Sequence, residues 1–165
     1  MHMKRIDRKL LSELLKDSKR SDRELAKVLG VSQPTITRRR SRLVEEGIIQ
    51  EFTVIPDFAR LGYEIMAITL GSYRVTRTPE LLERGQKWVA EHPSVIFASQ
   101  AHGMGRDAVM ISMHKNYTDY SRFMADLRST FGDSIKDSDT MIVSLKEFIA
   151  KPLSLRYLAE EKSED

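Results

Sequence analysis

The first third of the chain carries apolar residues at helical spacing. Between residues 6 and 17 they recur every three or four positions, which predicts an amphipathic helix. A shorter apolar stripe before Gly30 predicts a second helix, and a third predicted helix lies between Ser32 and Gly47. The apolar positions of the first two helices are Ile6, Leu10, Leu11, Leu14, Leu15, Leu25, Ala26, Val28 and Leu29.

Helix-boundary signals mark the second and third helices. Ser21 and Glu24 have the spacing of a capping box, in which each side chain satisfies a free backbone amide of the other. Gly30 is suited to stop the second helix, because glycine adopts the left-handed conformation at little cost. Ser32 is predicted to cap the third helix, and Pro34 lies where the first turn needs no amide donor. Two short helices joined by a glycine turn indicate a helix-turn-helix.

The third helix divides into two faces when its residues are placed 100° apart. Ile36, Leu43 and Val44 should face the first two helices, whereas Arg40 falls unexpectedly on the same side. We expect Arg40 either to cover apolar surface with its stem or to pair with an acid of the first helix. The outward face carries Pro34, Thr35, Arg38, Ser41 and Arg42, with Gln33 and Arg39 on its flanks.

The outward face of this helix has the chemistry of a DNA-reading surface. Residues 1–60 hold 14 Lys and Arg against 9 Asp and Glu, so the N-terminal third is basic. Gln33, Thr35 and Arg38 are the candidate base readers, because the N-terminal residues of such a helix reach base edges in the major groove. Arg39, Arg42, Arg23 and Lys27 are the candidate phosphate contacts. The full predicted DNA-binding set is Ser32, Gln33, Thr35, Thr37, Arg38, Arg39, Arg42, Arg23 and Lys27.

The rest of the chain alternates between strand-like and helix-like patterns. After a strand-like linker over residues 51–62, the order βαββαβ predicts a ferredoxin-like domain over residues 63–152. The chain is therefore expected to be α+β, with a winged-helix-like helix-turn-helix domain over residues 1–50 and a short helix and tail over residues 153–165. The predicted elements of the second domain are 63–73 (strand), 79–92 (helix), 94–101 (strand), 107–114 (strand), 117–131 (helix) and 140–149 (strand).

Composition excludes several other classes of protein. The sequence has no cysteine, which removes disulfides and thiolate chemistry and fits a cytoplasmic location. No apolar run approaches the ~20 residues of a membrane span, so no membrane partner is expected. His2, His92, His102 and His114 have no partners at metal-ligand spacing, so neither a metal nor a cofactor is predicted.

A set of short motifs between residues 6 and 63 resembles the Lrp/AsnC family, the feast/famine regulators of transcription. The matching motifs are Ile6-Asp7, Leu25-Ala26, Val31-Ser32, Arg39, Leu43, Gly47-Ile48-Ile49 and Leu61-Gly62-Tyr63. The resemblance implies a sequence-specific regulator that binds double-stranded DNA. It also implies a homodimer, paired through the linker strand, that assembles further into a tetramer or octamer. Arg40 departs from the apolar residue usual in the family.

The same resemblance implies an effector, often an amino acid, bound between second domains near the turn after the second strand of the sheet. Gly103 and Asp107 match the family motif best, although the spacing is one residue longer and Arg106 replaces an aromatic residue. The predicted effector-binding residues are Gly103, Met104, Gly105, Arg106 and Asp107. The alternative is a tight hairpin whose glycines serve only the turn.

Two other functions share this layout. Sirohaem decarboxylases resemble the family in overall organisation, and His102 with Arg106 is the candidate tetrapyrrole-binding pair. A small-molecule sensor without DNA binding is the other alternative. The helix caps and the arginine-bearing helix favour the regulator, because an enzyme has no need of them.

Overall fold

The computed structural model describes residues 3–75 and 78–160. They form two compact units. The first contains the described residues up to Ile55 together with those from Lys151 onward, and the second contains residues 56–150.

The first unit is built on three helices, α1 (Arg5–Lys16), α2 (Asp22–Leu29) and α3 (Gln33–Glu45). Their apolar sides meet in one core, in which the most deeply buried side chains are fully inaccessible to solvent. Burial of each such side chain contributes about 1.5–3 kcal/mol, which is what holds short helices together. The buried members are Leu10, Leu14, Leu25, Ala26, Ile36 and Leu43. Val44, predicted to face this core, is instead 45% exposed.

The two ends of α2 follow their sequence signals, whereas the N-cap of α3 differs from its prediction. Ser21 and Glu24 form both hydrogen bonds of the capping box, worth about 1 kcal/mol for the helix. Gly30 has a φ of 67°, a conformation in which a side chain would be strained. Ser32 occupies the N-cap position of α3 but makes no side-chain capping bond. Its hydroxyl instead lies 2.8 Å from that of Thr35, so the predicted capping bond is wrong.

The end of the described chain returns to the first unit. A 3-10 helix over Leu155–Glu160 packs against α1. Ser12 donates a hydrogen bond to the carbonyl of Ala159 at 3.1 Å, and Ala159 is buried. The sequence predicted a short helix here but offered no signal for its docking site.

The second unit is an antiparallel four-stranded sheet with two helices, and its strand order is β2-β3-β1-β4. The order of elements is βαββαβ, so the predicted ferredoxin-like fold is confirmed. The elements are β1 (Ile65–Tyr73), α4 (Pro79–Glu91), β2 (Val95–Gly103), β3 (Arg106–His114), α5 (Tyr117–Phe131) and β4 (Ile135–Ser144).

Strand β4 begins five residues earlier than the sequence predicted. The prediction began at Thr140, whereas the structure pairs Ile135 with Tyr73 and Ser144 with Ile65. The early half of β4 is polar (Lys136-Asp137-Ser138-Asp139), so it lacks an apolar strand signal. The bounds of β4 are set instead by backbone pairing along the full length of β1.

The two faces of the sheet differ. One packs against α4 and α5 through a core around Trp88, Met110 and Phe123. The other face carries apolar residues that the chain leaves partly open, including Phe97 at 51% exposure and Met141 at 67%. Among the described residues no helix has both the length and the apolarity required to cross a membrane.

The linker is not a strand in the single chain. Residues 51–57 have no regular secondary structure and residues 58–62 form turns, so the predicted strand over 51–62 is absent here. Strand geometry needs a hydrogen-bonded neighbour, and no described strand of this chain pairs with the linker. Its apolar side chains Phe52, Val54 and Ile55 are exposed.

Candidate nucleic-acid interface

Helix α3 is oriented by two side chains that its core face buries completely, Ile36 and Leu43. Their burial fixes the rotation of the helix about its axis. The opposite side, with Gln33, Arg38 and Ser41, is therefore presented to solvent, and all three of these residues are exposed. Arg38 and Ser41 lie on the face that the angular prediction placed outward, and Gln33 lies on its flank. Arg42, predicted on the same outward face, is half-buried and paired with Asp7.

Arg39 and Arg42 share one buried carboxylate, that of Asp7 in α1. Arg39 Nη1 lies 2.8 Å from Oδ1 of Asp7, and Arg42 Nη2 lies 2.6 Å from Oδ2. The Asp7 side chain is only 1% exposed. A buried carboxylate without such partners would be strongly destabilising, so both arginines are committed to internal pairing. The sequence predicts phosphate contacts for both arginines, whereas the structure pairs them with Asp7.

Arg40 finds its partners in the segment between α1 and α2 and at the start of α2. Its Nη2 donates to the carbonyl of Arg20 at 3.0 Å and lies 3.1 Å from Oδ1 of Asp22. The acid is thus on the second helix, whereas one of the two alternatives predicted from the sequence was an acid of the first helix. The contact explains how an arginine occupies the inner side of α3.

The hydroxyl residues of α3 are also held by neighbours. The Thr37 hydroxyl donates to Oδ2 of Asp22 at 2.6 Å, while the hydroxyls of Ser32 and Thr35 lie within 2.8 Å of each other. Asp22 therefore connects α2 to both Thr37 and Arg40. These contacts fix the helix N-terminus, where base readers of such motifs lie.

Arg38 differs from the other three arginines of the run. It is exposed and has no ion pair within the described parts of the chain. Arg23 and Lys27 are exposed as well, and their four-residue spacing places them on one side of α2. Among the predicted DNA contacts, Gln33, Arg38, Arg23 and Lys27 are thus exposed and have no side-chain partner within the described residues, whereas Ser32 and Thr37 are exposed but hydrogen-bonded.

The turn between β2 and β3 is a two-residue hairpin loop. Met104 and Gly105 have φ values of 54° and 68°, the left-handed pair that such a tight hairpin requires. Met104 is 91% exposed at its tip. The turn accounts for Gly105 without a ligand, as the alternative in the sequence analysis proposed.

The polar neighbours of this hairpin are engaged within the chain. Arg106 forms a salt bridge with Asp139 and lies 3.8 Å from Asp137. Asp107 accepts a hydrogen bond from the amide of Tyr73 at 3.0 Å. Both residues therefore stabilise the end of the sheet, whether or not they also contact an effector.

His114 is a buried histidine of the second unit. Its Nε2 lies 2.8 Å from the Ser112 hydroxyl, and its ring packs against Tyr120 and Phe123. Burial lowers the pKa of His114, and nearby Asp119 only partly opposes this effect. Within the described residues no group of three or more potential ligands could hold a metal ion.

Asp7 pairs with two arginines of α3, a contact that the sequence did not predict. It lies one helical turn before Leu10 and Leu11, on the apolar stripe of α1. A charged residue at a core position needs a charged partner. The position of Asp7 was a signal for a cationic partner, but it did not identify the arginines of α3.

Comparisons with known proteins identify the class of protein to which the chain belongs. A family model described as winged helix-turn-helix DNA-binding matches residues 3–50. The chain is 32% identical over 143 residues to an uncharacterised HTH-type transcriptional regulator of Pyrococcus horikoshii, covering 87% of this chain and 92% of that protein.

Solved structures match over more than nine-tenths of the chain. The fold is similar to that of an AsnC-family transcriptional regulator from Agrobacterium tumefaciens, with a TM-score of 0.75 and 24% identity over 94% of this chain and 99% of the other. A transcriptional regulator from Neisseria meningitidis in complex with L-Met is similar as well, with a TM-score of 0.75 and 20% identity over 95% and 99% of the two chains. The chain belongs to the Lrp/AsnC family of DNA-binding transcriptional regulators. The enzyme alternative is thereby set aside.

Proposed function

We propose that this regulator reads a specific DNA sequence with Gln33, Thr35 and Arg38 of α3 placed in the major groove. The observation that carries the proposal is the division of the arginine run. Arg38 is exposed, whereas Arg39, Arg40 and Arg42 are paired with Asp7 or Asp22. An unpaired arginine can offer its two-donor fork to guanine at little cost, because no protein contact has to be broken.

In this proposal the paired arginines have a positioning role. Asp7 connects α1 to α3 through Arg39 and Arg42, and Asp22 connects α2 to α3 through Thr37 and Arg40. Two carboxylates thus hold the recognition helix against both supporting helices. Phosphate contacts come from Arg23 and Lys27, while Arg39 and Arg42 add positive potential to the same unit.

The functional form in this proposal is a homodimer. The linker exposes Phe52, Val54 and Ile55, and the sheet leaves Phe97 and Met141 open on one face. A second copy would supply the missing partner strand and cover apolar surface of this kind. Two-fold pairing also presents two copies of α3 to the two halves of a pseudo-palindromic site. Dimers are expected to assemble further into tetramers or octamers.

An amino-acid effector at the hairpin of Gly103 to Asp107 is the regulatory part of the proposal. It is supported by the solved structure of a related fold that contains L-Met. Arg106 and Asp107 offer opposite charges that match the carboxylate and ammonium of an amino acid, although each already has a partner in the chain.

Titration of the protein against DNA from its own promoter, beside random DNA of equal length, tests the proposal. We expect tighter binding to the promoter, with an affinity that falls steeply as salt rises. Equal affinity for both DNAs at all salt concentrations would contradict sequence-specific recognition. Repeating the titration with L-methionine and other amino acids tests the effector, and an unchanged affinity with every one would exclude it.

A further inference from the structure

A cavity of about 330 Å³ lies between the sheet of the second unit and its helices α4 and α5. It is within the size range of small-molecule sites, and roughly 150 Å³ is enough for a molecule as large as benzene. All of its lining residues belong to residues 69–138, so it is contained in one unit. The hairpin residues Met104 to Asp107 are not part of its lining.

The cavity exists because small residues meet where large ones would normally interdigitate. Its sheet side includes Gly71, Ala98 and Ala108, of which Gly71 and Ala108 are direct partners across β1 and β3. Its helix side includes Gly85 in the middle of α4, where a Cβ would meet nothing within 4 Å. Glycine in a helix interior costs roughly 1 kcal/mol relative to alanine, so this position keeps space at the expense of stability.

The chemistry of the walls restricts what can bind. Leu81, Trp88 and Phe131 provide apolar surface, and the described lining contains no charged side chain. A carboxylate or an ammonium group placed there would lose hydration without gaining a counter-charge. An amino acid, which carries both groups, is therefore a poor fit. Gln86 and Gln100 are exposed lining residues whose amides can donate and accept hydrogen bonds.

We propose that this cavity is a binding site for an uncharged, mainly apolar small molecule with one or two hydrogen-bonding groups. The apolar body contacts Trp88 and Phe131, and a hydroxyl or carbonyl group reaches the amide of Gln86 or Gln100. This site is separate in position and in ligand chemistry from the amino-acid site at the hairpin. The proposal of this cavity site does not depend on the proposal of the amino-acid site.

Trp88 provides a direct reporter, because it lines the cavity and is the single tryptophan of the sequence. Three probes share one ring and absorb no light at the excitation wavelength of tryptophan: cyclohexanol, cyclohexylamine and cyclohexanecarboxylate. At neutral pH only the first is uncharged. We expect cyclohexanol to give a saturable change in Trp88 fluorescence with a dissociation constant of about 1–10 mM, given its few heavy atoms. The two charged probes should bind at least tenfold more weakly.

Gly85→Leu should block the site by filling it, and it should raise the melting temperature because it removes a helix-interior glycine. Ala90→Leu is the matched control, since Ala90 is an exposed residue of α4 outside the lining. Cyclohexanol should bind at least tenfold more weakly to Gly85→Leu and unchanged to Ala90→Leu. The proposal is overturned if no probe gives a saturable change, if the charged probes bind as well as cyclohexanol, or if Gly85→Leu binds it like the wild type.

Discussion

Arg42 of the recognition helix donates to Asp7 of α1, with 2.6 Å between Nη2 and Oδ2. The same carboxylate accepts a second hydrogen bond from Arg39. An arginine run that resembles a basic DNA-binding patch therefore contains an internal connection between two helices. The arginines that make this connection position α3, whereas residues outside it are available to DNA.

Replacing Asp7 with asparagine tests the positioning role. Asp7→Asn keeps the shape of the side chain but leaves Arg39 and Arg42, which are 19% and 38% exposed, without their shared counter-charge. We expect the free energy of unfolding of the first unit to fall by about 2–3 kcal/mol, below the full cost of breaking a buried pair because both arginines partly reach water. Urea unfolding followed by circular dichroism measures it. Glu45→Gln, at an exposed position of α3, is the control and should change stability by less than about 0.5 kcal/mol.

An Asp7→Asn variant as stable as the control would show that the two arginines do not depend on Asp7. They would then be free to serve as phosphate contacts, as the sequence alone suggested.

Acid should destabilise the second unit through His114. Burial lowers the pKa of His114 below its ordinary value of 6.5, so below that pH the unfolded chain binds a proton that the folded unit resists. Stability is therefore fully present above pH 6.5 and decreases as the pH falls below it. Unfolding at pH 7.5 and 5.5, compared between the wild type and His114→Gln, measures the effect. If the variant loses as much stability between the two pH values as the wild type, His114 is not the responsible group.

Removal of the C-terminal segment should weaken the DNA-binding unit rather than the sheet. The 3-10 helix covers α1, and Ser12 is bonded to Ala159. A chain ending at Ala150 should lose about 1–2 kcal/mol of stability in the first unit through lost apolar burial and one hydrogen bond. Hydrogen exchange of the α1 amides measures this loss locally. A chain ending at Glu160 is the control, and faster exchange in β1 instead of α1 would contradict the assignment.

The linker provides a test of assembly. Val54 is 72% exposed, and in the proposed dimer it is covered by the partner's linker. Val54→Asp should convert the dimer to monomer in sedimentation experiments at micromolar concentration, because an aspartate in a paired apolar strand loses its hydration. Tyr117→Asp introduces the same charge at a 65% exposed position on α5 and should leave the dimer intact. Dimers of equal stability in both variants would place the interface elsewhere.

Much of the fold followed from the sequence because local rules and tertiary packing agree. The capping box at Ser21 and Glu24, the stop at Gly30 and the core positions Ile36 and Leu43 all lie where their patterns predicted. The beginning of β4 could not be predicted, because its polar residues form a strand only by pairing with β1. The partner of Arg40 was missed for a similar reason, since Asp22 is 18 positions away in the sequence and close only in the folded unit.

The central claim is that Arg38 reads bases while its neighbours hold the helix, and Arg38→Ala measured on promoter and random DNA tests it most directly. Arg128→Ala, at an exposed position of α5, removes the same charge outside the DNA-binding unit and is the control. We predict that Arg38→Ala weakens promoter binding by about 1–3 kcal/mol, changes random-DNA binding much less and leaves stability unchanged. An equal loss on both DNAs would instead assign Arg38 to the phosphates and rule out base reading by this residue.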